Sequence, residues 1–180
     1  MHRQIFGRRS MAAILLLLAS FMLPYGLPSG AHVAHASDEE VLQHCIVGPE
    51  KPMECFASEA EALSAATAGR IELAPGQTSR DLSDSQLFAP NPNGASLYAV
   101  LYEDADYGGS TLTIFSSSCS GWNNISGSWN DKASSVRTYS CGVTLYDNYN
   151  LSGMSLRVNA PGTNWVGPAM NDRASSWSLP

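Results

Sequence analysis

One six-residue phrase occurs twice in the second half of this 180-residue chain. It reads NDKASS at residues 130–135 and NDRASS at residues 171–176, and the one position that changes keeps a basic residue. A second pair of matching segments, LYED at 101–104 and LYDN at 145–148, repeats at an offset of 44 residues. A period near forty residues indicates a supersecondary unit that the chain uses twice.

The segments around these repeats are typical of short β-strands. Runs of β-branched and aromatic residues bounded by Gly, Asn and Asp predict strands at 97–102, 111–115, 136–139, 143–146, 155–158 and 175–179. In each copy a tyrosine, Tyr102 or Tyr146, precedes a glycine, Gly109 or Gly153, by seven positions. This spacing predicts a folded hairpin in which glycine takes a conformation that is unfavourable for residues with a Cβ. Residues 96–180 are therefore expected to form an all-β domain of about eight strands.

The repeated phrase is rich in side chains that carry oxygen. Ca²⁺ prefers carboxylate, amide, hydroxyl and main-chain carbonyl oxygens. The matched pairs Asp131 and Asp172, and Ser134 and Ser175, therefore predict two equivalent calcium sites. The alternative is a purely structural role, because Asn, Asp and Ser side chains also form turns without any ion.

The first 36 residues have the composition of a secretory signal peptide. Three arginines precede an apolar run at 11–23, and a small-residue site, Ala-His-Ala, follows at 34–36. The apolar run is shorter than a helix that spans a bilayer, so an uncleaved membrane anchor is the less favoured alternative. We expect cleavage before Ser37 and export of the remaining chain, without a membrane anchor in the mature form.

The mature chain is acidic. Removal of residues 1–36 leaves seven basic and sixteen acidic residues, a net charge of −9. This charge argues against nucleic acid or an anionic membrane surface as a partner. Residues 37–95 carry a net charge of −7 and residues 96–180 carry −2, which suggests two unlike segments.

Four cysteines remain after cleavage. An even number in an exported chain predicts two disulfides rather than a thiolate metal site, and three connectivities are possible. We favour the two local pairs, Cys45–Cys55 and Cys119–Cys141. Each would stabilise the fold by about 3 kcal/mol on a loop-entropy estimate. A zinc site is not expected, because His44 is the one histidine left in the mature chain.

The acidic segment at 37–74 carries signals of a hairpin and a helix. Its two cysteine-bearing runs could pair around Gly48-Pro49. Ser58 followed by Glu61 forms a capping box at the start of a run, residues 59–68, that has good helix formers, and Gly69 can provide a left-handed end.

Residues 75–95 are rich in Ser, Asp, Pro and Asn, without a clear period, and this composition indicates a linker. We therefore expect four parts, which are a signal peptide (1–36), an acidic hairpin and helix segment (37–74), a linker (75–95) and a β domain (96–180).

The order of these features in the β domain resembles that of the βγ-crystallin Greek-key family. An aromatic residue, six residues, a glycine and then Asn-Asp-x-x-Ser-Ser occur twice, over about residues 97–180. The whole arrangement is similar to secreted bacterial members. The resemblance implies two four-stranded Greek keys, at about 96–140 and 141–180, packed as a β-sandwich.

The resemblance also implies ligands for two calcium ions. Asp131 and Asp172 would supply carboxylates, and Ser134 and Ser175 would supply hydroxyls that reach across to the ion of the other repeat. Main-chain carbonyls would come from Glu103, Lys132, Asp147 and Arg173. Asn130 and Asn171 are expected to tie the loops together. With one carboxylate at each site, we expect affinities at, or somewhat tighter than, about 10⁻⁴ to 10⁻³ M.

These observations favour a secreted, calcium-binding protein that is not an enzyme. A Ser-His or Cys-His catalytic pair is not expected, because His44 is the one histidine of the mature chain and lies beside a predicted disulfide. Two other functions stay open. The resemblance extends to secreted bacterial metalloproteinase inhibitors, for which a secreted protease would be the partner, and to toxin-like or cell-wall-associated proteins of crystallin fold.

Overall fold

The computed structural model describes residues 41–83, 85–86 and 96–180. The predicted signal peptide with its cleavage site, and most of the second half of the predicted linker, lie outside the described residues. Within these described ranges, no helix is both long and apolar enough to cross a membrane.

The elements follow one another in an order that separates a short acidic segment from a β domain. They are β1 (His44–Val47), β2 (Glu54–Phe56), α1 (Glu59–Ala66), β3 (Ser96–Tyr102), β4 (Thr111–Ser116), β5 (Gly121–Asn124), β6 (Ser135–Thr138), β7 (Val143–Asn148), β8 (Ser152–Val158), β9 (Gly162–Thr163) and β10 (Ser176–Leu179). The six strands predicted from β-branched and aromatic runs are confirmed within a few residues at each end, as β3, β4, β6, β7, β8 and β10.

The strands form two sheets that exchange one strand each. Sheet A has the order β2-β1-β4-β3-β6-β9, and sheet B has the order β5-β10-β7-β8. The third strand of the first repeat, β5, pairs with β10 in sheet B, whereas the third strand of the second repeat, β9, pairs with β6 in sheet A. The strand order confirms the predicted all-β class, with two Greek keys packed as a sandwich.

The acidic segment extends sheet A. β1 and β2 form the predicted antiparallel hairpin, with Cys45 opposite Cys55, and these two cysteines are joined by a disulfide. β1 also pairs in parallel with β4, so that β4 is an inner strand of the sheet. A disulfide between Cys119 and Cys141 is the second of the two local pairs that the spacing favoured.

The space between the two sheets holds the largest apolar cluster. Apolar residues of both repeats meet there, with Trp129 and Trp177 among the fully buried side chains. The two remaining tryptophans, Trp122 and Trp165, are half-exposed. The repeats therefore share one core rather than forming one core each.

The outer face of sheet A is covered by the acidic segment. α1 begins after Ser58, whose side chain accepts a hydrogen bond from Glu61 N, and its Leu63 is fully buried against Leu97 and Val100 of β3. Part of the stretch predicted as a linker also packs here, because Leu82 belongs to the same buried cluster and the Ser79–Asp81 turn lies beside it. Residues 79–82 are therefore part of the packed fold, and the acidic segment as folded covers residues 41–83.

Candidate metal centre

Each repeated phrase forms a loop in which the aspartate has an uncommon backbone conformation. Asp131 has φ 59° and Asp172 has φ 54°, in the left-handed region that Asp and Asn adopt more readily than most residues. The preceding asparagine fixes each carboxylate, because Asn130 Nδ2 donates to Asp131 Oδ2 at 2.7 Å and Asn171 Nδ2 donates to Asp172 Oδ2 at 2.6 Å. Each asparagine thus orients the aspartate of its own loop, whereas the sequence analysis expected the asparagines to tie the loops together.

The two loops cross to each other. Ser175 Oγ donates to Asp131 Oδ1 at 2.9 Å, and Ser134 Oγ donates to Asp172 Oδ1 at 3.1 Å. Main-chain bonds follow the same exchange, since Asp131 N donates to Ala174 O and Asp172 N donates to Ala133 O. Each aspartate is therefore paired with the serine of the other repeat, as the reciprocal ligand scheme requires.

Each serine is also anchored to the hairpin of its own repeat. Ser134 N donates to Tyr102 O at 2.9 Å, and Ser175 N donates to Tyr146 O at 2.8 Å. The next residue along the chain is Glu103 in the first hairpin and Asp147 in the second. The structure thereby brings two sets of predicted ligands together, a first cluster of Glu103, Ser134 and Asp172 and a second cluster of Asp147, Ser175 and Asp131.

The second serine of each phrase has a structural role that the sequence analysis did not assign. Ser135 and Ser176 are fully buried, and their hydroxyls donate to Asp104 O and Asn148 O, both at 2.6 Å. The same hydroxyls accept hydrogen bonds from Tyr107 N and Leu151 N. They lock each loop to the tip of its hairpin. The duplication of both serines was the signal that could have revealed this role.

The basic residues of the phrases pair with acids of the hairpins. Lys132 Nζ contacts Glu103 Oε1, and Arg173 Nη2 donates to Asp147 Oδ2 at 3.2 Å. Burial would raise the pKa of the Glu103 carboxyl, but hydrogen bonds from Lys132 and Ser110 and the charge of Lys132 outweigh it, so the pKa lies below its usual value. The sequence predicted carbonyl ligands at Glu103 and Asp147, and the structure shows that their carboxylates also hold the cationic side chains.

The hairpin glycines are required by the same geometry. Gly109 has φ 74° and Gly153 has φ 78°. A Cβ at Gly109 would lie 2.8 Å from Asp104 Oδ2, and one at Gly153 would overlap Asp147 Oδ1. The predicted need for glycine is confirmed by both the backbone angle and the lack of space.

The donor chemistry of both clusters fits a hard cation. Across the described ranges, no three His, Cys, Asp or Glu side chains gather as a metal-binding group. A cation at either cluster would therefore depend on one aspartate, one serine hydroxyl and main-chain oxygens, which is an oxygen set of the kind that Ca²⁺ accepts. One buried oxygen, Asn130 Oδ1 beside Asp131, accepts no hydrogen bond from the described residues.

A separate cleft of about 570 Å³ lies between the acidic segment and the first hairpin. His44 is half-buried there, its Nδ1 is 3.0 Å from Thr111 Oγ1, and burial lowers its pKa although the charge of Glu59 opposes the shift. Glu59 is also buried, and Ser79 Oγ donates to its Oε1 at 2.5 Å. These polar groups form hydrogen bonds with neighbouring side chains, and the bonds join the acidic segment to the β domain.

Solved structures similar to this chain are βγ-crystallin domains. One from Clostridium beijerinckii is 25% identical, with a TM-score of 0.37 over 46% of this chain and 97% of that domain. One from Flavobacterium johnsoniae is 27% identical, with a TM-score of 0.39 over 46% of this chain and 93% of that domain. One from an archaeon is 21% identical, with a TM-score of 0.39 over 47% of this chain and 98% of that domain.

These domains are of the family that the sequence resembles, and each likeness spans less than half of the chain. No protein-family model and no curated protein matches the chain. The assignment of the Greek-key sandwich rests on the strand order described above.

Proposed function

We propose that this chain is a secreted, non-enzymatic, calcium-binding protein of βγ-crystallin type, in which two ions tie the paired Greek keys together. The observation that carries the proposal is the reciprocal pairing of Asp131 with Ser175 and of Asp172 with Ser134. A turn that served only its own repeat would not need to place its carboxylate against the serine of the other.

The residues of each cluster would hold one ion. In the first cluster Asp172 would supply a carboxylate oxygen, Ser134 a hydroxyl and Glu103 a main-chain carbonyl, and the second cluster would use Asp131, Ser175 and Asp147 in the same way. Calcium supplies two positive charges that the oxygens of two loops can share. The serine hydroxyls, which donate to the aspartates in the structure, would turn their lone pairs to the ion instead.

Charge limits the expected affinity. One ligand carboxylate neutralises half of the charge of Ca²⁺, and the neighbouring Glu103 and Asp147 carboxylates are already paired with Lys132 and Arg173. We therefore expect dissociation constants at, or somewhat tighter than, the range of about 10⁻⁴ to 10⁻³ M for extracellular modules. At a hundred times the dissociation constant, each ion would stabilise the fold by about 2.7 kcal/mol.

The proposed extracellular location agrees with the chemistry of the described chain. Its four cysteines form two disulfides, and such pairs persist in oxidising compartments. The disulfides Cys45–Cys55 and Cys119–Cys141 would stabilise the fold in such a compartment. Weak sites of the kind proposed would be filled there, because extracellular modules bind calcium in the millimolar range. N-terminal sequencing of the exported protein tests the location and the expected new terminus at Ser37.

Calorimetric titration and thermal unfolding with calcium test the proposed metal sites. The wild type should bind two ions and unfold at a higher temperature in calcium. Asp131→Asn with Asp172→Asn should abolish both effects, because the amide keeps the shape and the acceptor oxygen but removes the charge. Glu50→Gln with Glu54→Gln is the matched control, since it removes the same charge at exposed sites of the acidic segment.

A wild type that binds no calcium at millimolar concentration would sink the proposal. So would full binding by the Asp131→Asn, Asp172→Asn protein. If the Glu50→Gln, Glu54→Gln control loses binding to the same extent, the effect comes from net charge and not from the clusters.

A further inference from the structure

The acidic segment holds the first hairpin, residues 102–110, at its base. Gln43 N donates to Ser110 Oγ at 3.1 Å, and Gln43 O accepts from Thr111 N at 3.0 Å. The Gln43 side chain accepts a hydrogen bond from Ser128 Oγ at 2.6 Å, just before the loop that carries Lys132. Ser110 is one of the groups that hydrogen-bond the Glu103 carboxyl. Gln43 therefore bonds to Ser110, a neighbour of Glu103, and to Ser128, four residues before Lys132.

The segment contacts the same hairpin a second time through a buried tyrosine. Ser79 Oγ lies 2.8 Å from the Tyr102 hydroxyl and donates to the buried Glu59 carboxylate. Burial raises the pKa of Tyr102 to about 12, with Glu59 adding to the shift and Ser79 opposing it. The carbonyl of this tyrosine accepts the hydrogen bond from Ser134 N, so the contact lies one residue from the first cluster.

A third contact reaches the tip of the first hairpin. Arg80 Nη1 donates to Tyr107 O at 3.1 Å and to Asp106 O at 3.4 Å. These carbonyls lie between the base residue Tyr102 and Gly109. The base and the tip of the first hairpin are thus both held by residues outside the two Greek keys.

Among the residues that the structure describes, the hydrogen bonds of the second hairpin, residues 146–154, go to the repeats themselves. Asn150 bonds to Asn124 at its tip, as Asp106 bonds to Asn164 in the first hairpin. Met154 occupies the position that corresponds to Ser110, and it is 40% exposed, while Tyr149 is 47% exposed. The described part of the acidic segment makes no hydrogen bond to this hairpin.

We propose that the acidic segment, residues 41–83, preorganises the first cluster, so that the two calcium sites are unequal and the site of Glu103, Ser134 and Asp172 is the tighter one. This inference rests on the proposed calcium binding and adds a regulating element to it. Groups already held in position lose less freedom when a ligand binds, and affinity rises accordingly. The coupling is reciprocal, so calcium at the first cluster should in turn hold the segment on the domain.

Single-site proteins separate the two clusters. Asp131→Asn should leave the first cluster as the working site, and Asp172→Asn should leave the second. In each of these full-length proteins, Gln43→Ala with Arg80→Ala removes side-chain contacts to the Ser128 hydroxyl and to the hairpin carbonyls. Calorimetry should show calcium binding weakened by about threefold to tenfold in the first-cluster protein and changed by less than about twofold in the second-cluster protein.

The sign of the charge makes this test sharper. Arg80→Ala removes a positive charge, which by itself would favour a cation, so weaker binding must come from lost positioning. Arg80→Lys keeps the charge and one donor and should recover part of the affinity. Asn123→Ala is the matched control, because the Asn123 amide bonds to Gly48 O and Lys51 O of the same segment, away from the first hairpin. This control should leave the affinity of the first cluster unchanged.

Hydrogen exchange of the main-chain amides of β1 and α1 measures the reciprocal effect, which is the effect of bound calcium on the acidic segment. Calcium should slow exchange there in the Asp131→Asn protein and have no effect in the Asp172→Asn protein. Equal loss of affinity in both single-site proteins, or no loss in either, would overturn the inference while calcium binding itself stands. If neither single-site protein nor the wild type binds calcium, the proposed function fails first.

Discussion

The two hairpins follow one backbone path in different surroundings. Asp106 and Tyr107 in the first have φ of 56° and 64°, and Asn150 and Leu151 in the second have φ of 58° and 57°. The first hairpin is contacted by the acidic segment at its base and its tip, whereas the second faces solvent along the exposed strand β8. The repeat thus determines the geometry of the ligands, and the added segment makes two equivalent halves unequal.

The largest expected effect on the free energy of unfolding concerns the packing of α1 on the outer face of sheet A. Leu63→Ala in α1 should lower the free energy of unfolding by about 3 kcal/mol, because a fully buried leucine leaves a cavity over β3. Met154→Ala at the open hairpin should cost less than about 0.5 kcal/mol, since its side chain is 40% exposed. Urea unfolding measures both. Similar costs for the two variants would mean that the segment contributes no more than an exposed side chain.

A smaller difference is expected for the tyrosine at the base of each hairpin. Tyr102→Phe should lower the free energy of unfolding by about 1 to 1.5 kcal/mol, because it breaks a buried hydrogen bond with Ser79. Tyr146→Phe should lower it by less than about 0.5 kcal/mol, since the Tyr146 hydroxyl lies 3.4 Å from Ser178 Oγ. The folded-state pKa of Tyr102, about 12, is raised above its usual value of 10.0.

A raised pKa of this kind gives stability that is complete below pH 10 and is lost as the pH rises towards 12. Denaturation followed across this window should show a smaller alkaline loss in Tyr102→Phe than in wild type. An unchanged alkaline profile would show that the Tyr102 hydroxyl has no special environment.

The smallest effect is expected for the two ion pairs. Lys132→Met should cost about 0.5 kcal/mol and Arg173→Met about 0.2 kcal/mol, because both cations are largely solvent-exposed, Arg173 the more so. The pKa of Glu103 is lowered in the folded state, so its contribution is present above the usual value of 4.5 and fades as the pH falls below it. The stability gap between Lys132→Met and wild type should therefore close in acid. A gap that stays unchanged at a pH low enough to protonate Glu103 in the folded protein would assign the effect to packing of the lysine stem.

The parts of the fold that were predictable are those with a local signal. Strands with β-branched residues, the capped start of α1 and the glycine hairpins all depend on neighbours in sequence. The short third strands, β5 (Gly121–Asn124) and β9 (Gly162–Thr163), were not located individually. They are rich in Gly and Asn, and they exist because partners at least 25 residues away supply their hydrogen bonds.

The docking of the acidic segment had a signal that the sequence analysis did not use. β3 reads SLYAVLY, an almost unbroken apolar run, whereas β8 reads SGMSLRV with polar residues interspersed. An unbroken run is typical of a strand buried on both faces, and β3 is buried on both, between the shared core and α1. Which segment covers the outer face could not be read from β3 itself, because that depends on the parallel pairing of β1 with β4.

For the candidate site, the resemblance to the βγ-crystallin family predicted which aspartate would meet which serine, and the structure has these pairs. The roles of the Glu103 and Asp147 carboxylates were missed, since their partners Lys132 and Arg173 lie 29 and 26 residues away in sequence.

Each repeat contributes one strand to the sheet of the other repeat, and this exchange has a consequence for folding. Neither half of the β domain contains a finished sheet, because β5 and β9 each complete the sheet of the opposite half. Fragments 96–140 and 141–180, produced separately, should remain unstructured alone and regain the native fold only when mixed. Folding of the domain is then a single cooperative event delayed by long-range pairing, and neither repeat can be separated from the other without loss of its structure.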